Sequence, residues 1–178
     1  MRFQILSVFV MMEVGSRRLV HFNVTSHPTA AWTLQQFREI IDNEHDYRFV
    51  IHDRDRLYSQ ELDLALRAMG VRVLKTPSHS AQANSHCERL IGSLRGECLD
   101  FLIPLNERHL REILKGYKTH YCQGRPHLSL GPGLPEPGDG LAAPLQKQRH
   151  QIPAGYRVRT KPILGGLHHE YRLEKIAA

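Results

Sequence analysis

Little in this chain points to a disulfide scaffold, a zinc module or a membrane span. Only three cysteines occur in 178 residues: Cys87, Cys98 and Cys122. The count is odd and no two are closely spaced, which argues against both a disulfide framework and a structural zinc site. Buried free thiols in a reducing compartment fit this usage better. No stretch approaches the ~20 apolar residues of a membrane span. The apolar run at residues 5–12 is broken by Ser7 and followed at once by Glu13, with no small-residue cleavage site, so it is expected to be a strand rather than a signal peptide. The expected setting is the cytoplasm, with no membrane association. Negative charge is scarce: 18 acidic residues face 24 basic ones, a net charge of +6. A basic balance favours a polyanionic partner, most often nucleic acid. Hydrophobic content of 41% makes a globular domain the default rather than disorder.

The hydrophobic pattern predicts the order β-β-α-β-α-β-α-α. Residues 5–12 and the alternating run 19–25 predict a hairpin, with Gly15 as its turn former. Ala30, Leu34, Phe37 and Ile41 recur at helical spacing after Pro28 and Thr29. Residues 49–51 and 71–74 are short strands on either side of a helical stripe, Leu62, Ala65, Leu66 and Met69, which Gly70 ends. Residues 76–81 form a loop. A third helix is expected over residues 82–99, and a fourth over 107–121 with Asn106 as its N-cap. Strand–helix alternation implies a parallel α/β sheet with an antiparallel hairpin on one side.

The expected organisation is a core at residues 1–130, a Pro/Gly-rich linker at 131–144 and a basic tail at 145–178. The linker holds four prolines and four glycines in fourteen residues. The tail carries seven basic residues against Glu170 and Glu174, and residues 163–167 predict a small hairpin turn. This tail is either a clamp on a nucleic-acid backbone or a basic extension. Its Tyr156 and Tyr171 would either pack or stack on bases.

Two constellations carry possible chemistry. Asp53 follows the apolar strand at 49–51, and ligands of open α/β sheets sit beyond the carboxyl ends of strands. An Asp-rich turn capping the next helix competes with that reading. Glu88 falls at the border of the apolar stripe of the third helix, on the flank of Asn84 and Arg95. A boundary glutamate paired with a nearby arginine is the competing reading there. Together the two supply hard oxygen ligands of the kind Mg²⁺ prefers. Two such ions can activate an attacking hydroxyl and stabilise the leaving oxygen of a phosphodiester.

Several runs match one family in order. These are 20–25 (Val-His-Phe-Asn-Val-Thr), Asp53-Arg54-Asp55 with Tyr58, 88–94 (Glu-Arg-Leu-Ile-Gly-Ser-Leu) and 105–110 (Leu-Asn-Glu-Arg-His-Leu). Over about residues 5–130 the chain resembles DDE-type insertion-sequence transposases and the retroviral-integrase-like catalytic core. The resemblance implies an RNase H-like mixed sheet flanked by helices. It implies Asp53 and Glu88 as catalytic, metal-holding carboxylates for Mg²⁺ or Mn²⁺, with Asp55 a weaker candidate. It further implies Lys75, His79, Gln82, Asn84 and Arg95 near DNA, and self-association in a transposition complex. In that family the first catalytic Asp lies on a central strand that precedes the hairpin. No Asp occurs here before Asp42, so the expectation is a core whose first strand is missing, N-terminally truncated and catalytically incomplete. Two alternatives stay open: a non-catalytic DNA-binding or oligomerising remnant, and an RNase H-like nuclease.

Overall fold

The hairpin forms as the alternation of its residues demands. The computed structural model describes residues 4–41, 46–76, 84–131, 133–137, 152 and 154–176. In it β1 (Ser7–Met12) pairs antiparallel with β2 (Leu19–Thr25), Val8 opposite Val24 and Val10 opposite Phe22. The turn corrects the expectation for Gly15. Gly15 keeps a negative φ, and Arg17 takes the left-handed conformation at φ 65°. Glu13 holds the turn by bonding Arg17 and Arg18 main-chain groups and the Ser16 hydroxyl, so the reversal does not need glycine there.

Helix α1 (Ala30–Arg38) starts at Thr29, whose hydroxyl accepts from Trp32 N. Strand β3 (Phe49–His52) leads into α2 (Gln60–Ala68), capped by Ser59. Gly70, at φ 86°, lets the chain turn out of α2 into β4 (Arg72–Lys75), which pairs parallel with β3. Helix α3 spans Ser85–Glu97, shorter than the sequence predicts. It stops where Cys98 leaves helical geometry at φ −137° and a short 3₁₀ turn follows. Helix α4 (Glu107–Gln123) begins at Asn106, whose side chain accepts from His109 N as expected. The expected loop at 76–81 and the expected linker fall largely outside the described residues.

Among the described residues the strands form three two-stranded sheets rather than one continuous sheet: β1–β2, β3–β4 and β5–β6. Two apolar clusters result. One joins the hairpin to α3 and α4 through Leu19, Val24, Leu90, Leu94, Leu114 and Tyr117. The other joins α1, α2 and β4 through Phe37, Ile41, Leu62, Leu66 and Val71. Strand β1 is sandwiched between them: Val8 and Val10 pack on the first cluster, Phe9 and Met11 on the second.

The basic tail is a docked ribbon. Strands β5 (Tyr156–Ile163) and β6 (His168–Lys175) pair antiparallel around the turn expected at 163–167, where Leu164, Gly165 and Gly166 all have positive φ. His120 Nδ1 donates to Glu170 Oε1 at 3.0 Å, and His168 Nε2 donates to the carbonyl of Glu97 at 2.7 Å. The His120 and His168 rings stack at 4.7 Å. Gly124 lies so close to Glu170 that a Cβ there would collide with its carboxylate. Among the described residues no helix is long and apolar enough to cross a membrane.

Candidate functional site

Asp53 leaves β3 in a turn built from its own neighbours. Its Oδ1 accepts from Asp55 N at 3.0 Å, and Asp55 Oδ1 accepts from Leu57 N at 2.8 Å. The Asp55 carboxyl is therefore directed back at the main chain. His52 anchors the turn from below. Its Nδ1 lies 2.6 Å from the Asp53 carbonyl and its Nε2 2.9 Å from Asp63 Oδ1, and Tyr58 stacks on its ring at 4.5 Å. Asp63 on α2 also meets Lys75 Nζ at 2.5 Å. Burial alone would raise the Asp63 pKa, but the bonds from Lys75 and His52 outweigh it and hold the carboxyl below its ordinary value. The carboxylates at 53 and 63 thus differ. Asp63 is buried and doubly paired, whereas Asp53 is exposed and, among the described residues, makes no ion pair.

Helix α3 brings its first turn to the same place. Asp53, Asn84, His86 and Cys87 line one cleft of about 540 Å³. Burial, and then the charge of Asp53, raises the Cys87 thiol pKa. Burial, with Asp53, Cys87 and Asp55 adding to it, pushes the Tyr58 phenol up to about 12. Asn84 is the N-cap residue of α3, and Glu88 lies one turn on along the same flank, exposed and without an ion pair among the described residues. Arg95 is exposed two turns beyond Glu88. Lys75 ends β4 and is drawn to Asp63 on α2, on a face shared with Gln60, Leu64 and Arg67. His79 and Gln82 lie outside the described residues. Among the described residues no three His, Cys, Asp or Glu gather as a metal cluster.

The 20–25 and 105–110 runs meet in a polar clamp. Gln36 Oε1 accepts from Asn23 Nδ2 at 2.7 Å and lies 3.0 Å from His21 Nε2. Asn23 Oδ1 accepts from Arg111 Nε at 3.1 Å. Glu107 binds Arg111 at 2.9 Å and both the amide and hydroxyl of Ser26 at 2.7 Å. These residues tie β2 to α1 and to the start of α4. Sequence reading does not detect the clamp, nor the His52–Asp63 pair, because the partners come from separate elements.

Residues 69–135 match the family model described as Integrase core domain. That segment contains β4, α3 and α4, with Asn84, Glu88 and Arg95, and leaves out Asp53. No curated protein matches the chain. Among solved structures, the chain is similar to one in the cryo-EM structure of the simian T-cell lymphotropic virus intasome in complex with PP2A regulatory subunit B56 gamma. The TM-score is 0.59 at 12% identity, covering 94% of this chain and 60% of that one. This chain therefore spans about three fifths of that chain's length, and at this identity the likeness is one of fold. The chain is a mixed α/β protein with an integrase-core-like segment.

Proposed function

We propose that this chain is part of a DNA-integration protein acting by DDE-type phosphoryl transfer, with Asp53 and Glu88 as its metal-holding carboxylates. The observation that carries the reading is the cleft shared by Asp53, Asn84, His86 and Cys87, with Glu88 in the same first turn of α3, beside that lining. The integrase-core match over α3 and α4 supports it. Both carboxylates are exposed and not consumed by ion pairs among the described residues, and hard oxygens of this kind suit Mg²⁺ or Mn²⁺. A bound ion would help activate an attacking hydroxyl and offset charge at the phosphate. The chain's own residues do the positioning. His52 and the Asx turn fix the Asp53 main chain, and α3 carries Glu88 rigidly. Asn84 and Arg95, with Lys75 and His79, would meet the DNA backbone. Asp55, turned onto Leu57 N, is the weaker ligand candidate.

The finer architecture is part of the same proposal. The core at 1–130 is RNase H-like. Its hairpin and the β3–β4 pair are two parts of one mixed sheet, separated by the position of a first strand that holds the third carboxylate. Residues 131–144 connect it to the basic 145–178 segment. The complex is cytoplasmic and self-associates on DNA. A second reading, DNA binding without chemistry, is favoured by the exposed basic ribbon with Arg157, Arg159, Lys161, Arg172 and Lys175.

Mn²⁺ titration of the full chain, with Asp53→Asn and Glu88→Gln, tests the proposal alongside a duplex-DNA binding and joining assay. The expected result is Mn²⁺ affinity weakened at least about tenfold in each variant with folding retained. Unchanged Mn²⁺ affinity in both variants sinks the catalytic reading. Loss of DNA binding on charge reversal of the ribbon alone would favour the second.

A further inference from the structure

The β5–β6 ribbon carries two unlike faces. On one, Glu174 holds Arg157 and Arg159, and Glu170 and His168 reach α4 and the end of α3. Strand side chains alternate, so Tyr156, Val158, Tyr171 and Leu173 share the other face, turned away from α4. Val158 and Leu173 stand opposite each other in the ladder and are 46% and 53% exposed, with Tyr171 69% exposed beside them. A two-stranded ribbon with an uncovered apolar face is marginal by itself and gains from further strands.

Hydrogen-bond parity separates the two outer edges of the ribbon. The Ile176 amide donates to the Gly155 carbonyl at 2.8 Å, so this opposed pair is a hydrogen-bonded one, and such pairs alternate from it along the register. Arg157 with Glu174 and Arg159 with Arg172 are then bonded within the ribbon. Tyr171, Leu173 and Lys175 direct their N–H and C=O out of the far edge of β6, and among the described residues no other main-chain group bonds them there. Pro162 has the outward parity in β5, opposite His169, so its missing N–H interrupts the β5 edge while the ladder stays whole. Arg157, Arg159 and Lys161 add like charge along β5, which blunts that edge further. The open edge is therefore that of β6. On it Arg172 is exposed, stands opposite Arg159, and makes no ion pair among the described residues, whereas Arg159 already binds Glu174.

We infer that the open edge of β6 is a pairing surface for a second copy of this chain, the two β6 strands running antiparallel about a two-fold axis at Leu173. Leu173 then pairs with its own counterpart and Tyr171 with Lys175 of the second copy, and these are the residues whose N–H and C=O face outward. Between them Arg172 falls opposite Glu174 of the second copy, twice by symmetry, at the non-hydrogen-bonded position where side chains come closest. Neighbouring registers are poorer. An axis at Arg172 sets Arg172 on its counterpart and Glu170 on Glu174, and an axis at Glu174 sets Glu174 on its counterpart. An axis at Tyr171 calls on Glu170, which His120 and Lys161 already hold. On the outer face Val158 and Leu173 of both copies join in one apolar row across four strands, cover that a nucleic-acid backbone does not offer to aliphatic side chains. The inference rests on the self-association proposed above and gives it a surface; it involves neither DNA nor metal.

Sedimentation velocity of the full chain without DNA, over about three decades of concentration, should show a reversible dimer of the weak kind that a short edge contact gives. At about ten times the dimer Kd, amide exchange should slow about tenfold at Tyr171, Leu173 and Lys175 and change little at Arg172 and Glu174, whose amides face β5. Leu173→Pro removes the central outward N–H, as Pro162 does in β5, and should weaken the dimer at least about tenfold with the ribbon still docked. Arg172→Glu and Glu174→Arg should each weaken self-association, and an equimolar mixture of the two variants should restore it, because each then meets the opposite charge. A monomer at every concentration overturns the inference and the self-association reading together. A dimer indifferent to Leu173→Pro, or a mixture no tighter than either variant alone, overturns this surface and leaves self-association standing. A monomer that binds oligothymidine and loses it on Tyr171→Ala gives the face to single-stranded nucleic acid, which also overturns the inference.

Discussion

Asp63→Ala should destabilise the protein far more than Lys75→Ala, although both belong to one ion-pair network. The Asp63 side chain is 7% exposed and accepts from His52 at 2.9 Å and Lys75 at 2.5 Å. A hydrogen bond to a charged group contributes about 1.5–3 kcal/mol, and its loss here leaves Nε2 of the 2%-exposed His52 side chain without its acceptor. The Lys75 arm is 36% exposed, so solvent screening reduces it to the surface-pair range of about 0–1 kcal/mol. Together Asp63→Ala should cost about 2–4 kcal/mol and Lys75→Ala about 1 or less. At roughly 2–4 °C per kcal/mol for a chain of this size, the first should lower Tm by about 5–15 °C. Urea denaturation at pH 7 with a His52–Asp63 double-mutant cycle measures both. A loss below about 0.5 kcal/mol for Asp63→Ala, or a larger loss for Lys75→Ala, refutes the account in which Asp63 holds His52, the anchor of the Asp53 turn.

The Asp63 carboxyl titrates below its ordinary value of 3.8, so its stabilisation is complete above that pH and should be lost as pH falls further below it; acid titration of Asp63→Asn should lack this component. Arg111→Ala breaks the link from Asn23 to Glu107 and should cost about 1–3 kcal/mol by urea unfolding; no change would remove the clamp from the account. Gly124→Ala should displace Glu170 from His120 and cost about 1–2 kcal/mol, and Glu170→Ala in the same chain should suppress most of that cost; additive losses would contradict the packing. Charge reversal of Arg157 and Arg159 should weaken duplex DNA binding and flatten its salt dependence, measured by anisotropy between 50 and about 200 mM salt.

What the sequence reveals is what repeats locally. Thr29 and Asn106 sit where caps belong, and both accept the expected amides. The tail turn at residues 163–167 is legible because two adjacent glycines follow Leu164. The hairpin turn is misread for a physical reason: Glu13 bonds around Arg17 stabilise a left-handed arginine, and no composition rule anticipates that. The His52–Asp63 pair and the Asn23–Arg111 bond span 11 and 88 residues, so they exist only once elements pack. Asp53 is legible by its place after a strand, whereas its adjacency to Cys87 depends on how α3 crosses the sheet edge.

The ribbon has a consequence for the order of assembly during synthesis. Its anchors, Glu97 and His120, lie 71 and 50 residues upstream of their partners His168 and Glu170. On the ribosome the helical pair is made well before β5 and β6 emerge, so ribbon docking should follow the packing of α3 and α4. Nascent chains stalled before residue 156 would then leave the His120 ring of α4 accessible to chemical probes, and chains in which β6 has emerged would shield it.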